Sequence, residues 1–71
     1  MKENLYQLAK EYVQLIEKIE KTKDLQKMYD LEELRADLHW RFMEMLEKQG
    51  IKYKDKDHAV RIAFRIANGE L

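Results

Sequence analysis

The stretch "DLEELRADLHWRFMEMLEKQGI", residues 30–51, decides how this chain folds. It carries two apolar lines instead of one. Leu31, Leu34, Leu38, Phe42 and Met45 form the first, at the spacing of one helix face. Tyr29, Ala36, Trp40 and Met43 form the second, roughly 150° around the same helix. Water disfavours both faces, so the rest of the chain, or a second copy of it, must cover two surfaces.

The ends of this helix are legible to different degrees. Gly50 sits where a left-handed C′ residue belongs, and Ile51 is placed to fold back onto Leu46 in a Schellman-type stop. Two starts are open. Asp30 with Glu33 resembles a capping box, and Tyr29 and Leu34 stand at staple positions. Asp24 is also a good N-cap type, and Leu25 and Met28 continue an apolar face. That continuation favours the earlier start, so the second helix is expected over about 25–48.

Upstream, Leu5, Leu8, Tyr12, Leu15 and Ile19 recur at 3-4 spacing, with Ala9 and Ile16 widening the stripe. An amphipathic helix is expected over about 3–21. Downstream, "IKYKDKD" alternates lysines with Ile51 and Tyr53, as a strand does. A single strand has nothing to pair with, so this segment is expected to be a loop. A short third helix follows over about 58–68, with Asp57 as N-cap and Gly69 as C′. Its apolar residues cover roughly 200° of its surface, leaving His58, Arg61, Arg65 and Asn68 for the remainder.

The fold class expected is all-α: an antiparallel helical hairpin plus a short third helix, one three-helix domain over 1–71. The third helix is expected to cap one open face, and the second face of helix two to be covered by that helix or by a second copy of the chain. Seventy-one residues lie near the limit at which one core outweighs chain entropy. Cysteine is absent, which removes disulfides, thiolate zinc sites and thiol catalysis together. Self-association into a homodimeric helical bundle is therefore the expected support.

Charge narrows the function classes. Fourteen basic residues balance fourteen acidic ones, whereas a domain that wraps nucleic acid carries a basic excess. Residues 1–49 hold nine Lys/Arg against eleven Asp/Glu, and residues 50–71 hold five against three. That asymmetry is too small to name a polyanion. The N-terminus "MKENLYQLAKEY" has no apolar core of a secretory signal, and no run approaches a membrane span. Cytoplasmic residence is the expectation.

Several constellations invite a chemical reading, and each has a plainer one. Arg61 and Arg65, one turn apart, suit a phosphate or carboxylate, yet they also fit the wet edge of a buried helix, with Asp57 a turn before Arg61. Arg35 and His58 join them as candidate anion- or partner-binding residues. Glu32, Arg35 and His39 form a polar seam that reads as an acid/base site or as an ion pair snorkelling over the core rim. The acidic strip Glu33, Asp37 and Glu44 is interleaved with Arg41 and Lys48, the pattern of a solvated face. The histidines lack metal-site spacing, and no catalytic set, metal or cofactor is implied.

Tyr29, Trp40, Met43 and Phe64 are the candidate interface residues, since aromatics and Met at helical spacing serve as core or contact surface. "LEELRADLHWRFMEMLEKQGI" followed by a short helix resembles, in size and layout, small helical-hairpin phosphatase regulators. Their Ser-Gln-Glu-Leu-Asp motif does not occur here, so the resemblance transfers no functional residue. The expected function is that of a small helical interaction or regulatory protein, without catalytic chemistry, working by contact with itself or a protein partner. The alternative is a nucleic-acid-binding module using Arg61, Arg65 and the Lys-rich connector 52–56.

Overall fold

The computed structural model describes residues 4–70. It is all-helical: α1 spans Leu5–Lys21, α2 spans Leu25–Lys48 and α3 spans Lys56–Ala67. The start expected near Glu3 lies outside the described residues. Asn4 caps α1, its Oδ1 accepting from the Gln7 N–H at 2.7 Å. Among the described residues there is no strand; residues 51–55 of the alternating lysine segment form a loop, and Lys56 and Asp57 belong to α3.

Helix two takes the earlier of its two possible starts. Oδ1 of Asp24 accepts from the N–H groups of Gln26 and Lys27, at 2.9 and 3.2 Å, which satisfies two of the donors a helix N-terminus leaves open. Asp30 therefore lies inside the helix. The C-terminus is the expected Schellman stop. Gly50 has φ +73°, its N–H donates to the Glu47 carbonyl, and the Ile51 N–H reaches back to the Leu46 carbonyl at 2.9 Å. Gly69 repeats the device on α3, with φ +78° and Glu70 N–H bonded to the Arg65 carbonyl at 2.8 Å.

The start of α3 differs from expectation. Asp55, not Asp57, is the N-cap, and its Oδ1 accepts from the His58 N–H at 2.8 Å. The helix therefore begins at Lys56, two residues before His58, and ends at Ala67 with Asn68 as C-cap. The sequence "DKD" offers two equivalent caps, and the one that satisfies a first-turn donor without shortening the helix is used. Asp57 falls in the first turn, where the helix dipole still favours a negative charge.

The packing order also differs. The expectation placed helix two at the centre, covered on two sides. Instead α1 is the element against which both α2 and α3 pack. It buries Leu8, Ala9, Tyr12 and Val13, two adjoining lines wide enough to receive two neighbours. Ala9, Ala59 and Ala63 have no exposed surface, and such small side chains let helix backbones approach closely. The core of α2 is Phe42 and Leu46 with His39, so its buried line is rotated away from Leu31, Leu34 and Leu38. Leu34 is 56% exposed. Phe42, Leu46, Tyr12 and Leu8 are the largest fully buried side chains and share one cluster with residues of α3. Burying each contributes about 1.5–3 kcal/mol before entropy is set against it.

Candidate functional site

The site is built on α2, from its outer face and the cleft beside it. Because α3 lies on α1, the second apolar line of α2 is not capped. Tyr29 is 66% exposed, Trp40 69% and Leu25, one turn before Tyr29, 65%. Ala36 is exposed between them, and Met43 is half-buried against the core. Of the two covers expected for this line, the third helix and a second copy of the chain, the third helix does not supply it. Phe64, the other interface candidate, is half-buried and packs on the core from α3.

At the inner edge of this line lies a polar chain. The Tyr12 hydroxyl is 2.6 Å from Nδ1 of His39, across the α1–α2 contact and fully within the core. Burial holds the Tyr12 hydroxyl protonated by pushing its pKa up, against the opposing charge and hydrogen bonding of Arg35. Burial also pushes the His39 imidazole pKa down, and the positive charges of Lys56 and Arg35 add to that. The buried Tyr12 hydroxyl hydrogen has no acceptor other than Nδ1 of His39 among the described residues, so Tyr12 donates, Nδ1 of the neutral imidazole accepts, and the ring proton sits on Nε2.

Arg35 is held in place by Glu32. Its Nε and Nη2 both bond Oε2 of that carboxylate, at 2.9 and 2.7 Å. Side-chain exposures of 30% and 40% make this a rim pair of modest strength. Of the three residues expected in one polar seam, Glu32 and Arg35 bond each other, whereas His39 bonds Tyr12 and shares only the cleft wall with Arg35. His58 does not join them. Its Nδ1 accepts the Lys54 N–H at 2.9 Å, so it braces the connector.

Bracing the connector has a consequence for Lys56. With Asp55 as cap, Lys56 becomes the first residue of α3 and comes to the His39 side of α2. A cleft of about 260 Å³ opens there, lined by Arg35, Ala36, His39, Trp40, Met43 and Lys56. No buried side-chain nitrogen or oxygen among the described residues lacks a partner. Nε2 of His39 has no partner among those residues, so it keeps contact with the cleft. The wall thus offers an imidazole N–H, an ammonium and a guanidinium beside an indole and a thioether. This arrangement suits a carboxylate carried on an apolar body.

Arg61 and Arg65 are exposed on α3. Neither forms an ion pair among the described residues, and the expected Asp57–Arg61 pair is not among those observed. The acidic strip behaves as a solvated face, with Arg41 3.6 Å from Asp37 and Lys48 3.7 Å from Glu44. Among the described residues, no three His, Asp or Glu side chains converge as metal ligands. No helix there is long and apolar enough to cross a membrane.

No family model, curated protein or solved structure matches this chain.

Two features escaped the sequence reading. Tyr12 reads as a member of an apolar stripe, although a hydroxyl at a buried position requires a partner, and that is the available signal. Lys56 was placed in the connector, and only the choice of Asp55 as cap brings it to the cleft.

Proposed function

We propose that this protein is a small cytosolic interaction or regulatory module whose binding surface is the outer face of α2. One observation carries the reading. Leu25, Tyr29 and Trp40 are each about two-thirds exposed along a single helix face. Large apolar side chains left in water along one face favour a partner that covers them, and Trp and Tyr are the residues on which binding energy concentrates. The cleft with Lys56 and His39 adds a polar anchor at the rim of that face. A homodimer is the form in which the surface finds a partner without any other chain.

Trp40→Ala tests the reading, because an exposed residue is removed and the core is left intact. Wild-type and variant proteins are compared by sedimentation over a wide concentration range and by recovery of bound proteins. Association, with itself or with another protein, is expected to be lost in the variant. Equal behaviour of the two proteins in both measurements overturns the reading.

A further inference from the structure

The outer line of α2 can be counted outward from its smallest side chain, Ala36. Ala36 stands at the centre, with Glu32 and Trp40 four residues to either side, Tyr29 and Met43 seven, and Leu25 and Glu47 eleven. These are heptad-like intervals, at which antiparallel helices pack side by side. A two-fold axis at Ala36 sets each residue opposite its counterpart on the other copy. The smallest side chain then falls where the helices cross closest, and Tyr29 falls on Met43, a favourable sulfur–aromatic pairing.

Charge selects the same arrangement. A two-fold axis normal to the plane of the two helices keeps each edge of α2 against the same edge of its mate. Glu32 shares its edge with Arg35 and His39, so on the second copy it arrives over the cleft. Among the described residues Lys56 makes no ion pair, and it lies at that cleft with the N–H of His39. Glu33 and Glu44 lie on the opposite edge of both copies and repel, which limits the strength of the pairing.

We propose that α2 pairs with α2 of a second copy, antiparallel and in register at Ala36, with Glu32 of the partner subunit seated against Lys56 and His39. The proposal rests on the reading of α2 as the binding face and names its occupant. Each subunit completes the other's cleft, so the dimer carries two identical carboxylate contacts. The like charges on the far edge make it a dimer that dissociates on dilution.

Engineered thiols read the register directly, because the chain has no cysteine of its own. Under mild oxidation Ala36→Cys is expected to form a disulfide-linked dimer. Arg41→Cys, on the far side of α2, is expected to stay unlinked. Tyr29→Cys alone stands about 21 Å from its mate, at 1.5 Å per residue, and is not expected to link. Mixed with Met43→Cys protein it is expected to link.

Sedimentation of the full chain supplies the energetics. Trp40→Ala is expected to weaken the dimer by about 30-fold and Lys56→Glu by about tenfold. A wild-type protein that is monomeric at every concentration overturns the proposal. So does a dimer in which Tyr29→Cys links to itself as readily as Ala36→Cys.

A fluorine label on Trp40, the single tryptophan, separates this failure from failure of the underlying reading. If the monomer's fluorine signal shifts and broadens when cell lysate is added, a different protein covers the face and only the second-copy inference falls. If the signal is unchanged, both fall.

Discussion

The Tyr12 hydroxyl and Nδ1 of His39 lie 2.6 Å apart across the contact between α1 and α2, and neither ring has more than a few per cent of its surface in water. Phe42 packs on the same phenol, ring centroids 5.8 Å apart. A polar bond in so small a core fixes which residues of the two helices stand opposite each other. Tyr12→Phe removes the donor and leaves Nδ1 buried without a partner. The expected loss is about 1–3 kcal/mol in urea denaturation. Replacing His39 with Leu in the same protein is expected to recover part of that loss, because the orphaned acceptor is removed too. A double variant less stable than Tyr12→Phe alone contradicts this account.

The same pair sets a pH window. Folding lowers the His39 pKa from its ordinary 6.5, so below 6.5 the unfolded chain binds the proton more readily than the folded one. Its contribution to stability is complete above pH 6.5 and falls as the pH drops through the folded-state value. Tyr12 acts at the other end. Its pKa is raised from 10.0, so its contribution is complete below pH 10.0 and is lost as the pH rises through the folded-state value. Urea midpoints measured against pH are expected to fall on both sides of a plateau. The Tyr12→Phe variant is expected to lose the alkaline limb that Tyr12 contributes.

Gly50 offers a clean measure of the helix stop. A Cβ built there meets nothing within 4 Å, so the effect of Gly50→Ala is conformational and not steric. An L-residue at φ +73° costs about 1–2 kcal/mol, and Gly50→Asn is expected to cost less, since Asn tolerates the left-handed region. Thermal melts of the two variants check the order.

The caps discriminate between neighbouring aspartates. Asp24→Ala and Asp55→Ala each remove a capping oxygen and are expected to cost about 1 kcal/mol. Asp30→Ala and Asp57→Ala remove no cap and are expected to cost less. The reverse order in chemical denaturation would move both helix starts.

Salt-dependent binding distinguishes a helix-face interaction protein from a nucleic-acid-binding one. Arg61 and Arg65 are exposed, but the chain carries no basic excess. No salt-dependent binding to DNA or RNA is expected even at low ionic strength, where such contacts are strongest. Fluorescence anisotropy with labelled oligonucleotides checks it, and binding that weakens steeply with salt would favour the alternative.

By itself the sequence determined the features that depend on short-range forces. Leu5 to Ile19 and Leu31 to Met45 show helical periodicity, and Gly50 and Gly69 mark stops because only a residue tolerant of positive φ closes those carbonyls. The polar seam of Glu32 and Arg35 was legible for the same reason, since the two lie one turn apart. Tertiary structure decided the rest. Which helix is central depends on how the faces of three helices divide the available contact, and several apolar lines compete for it. Tyr12 and His39 are 27 residues apart in the chain, and no local pattern says that they meet. Lys56 reaches the cleft only because Asp55 wins the cap and α3 settles on α1. The open face of α2 follows from that same choice: α3 has one broad apolar surface, and α1 received it.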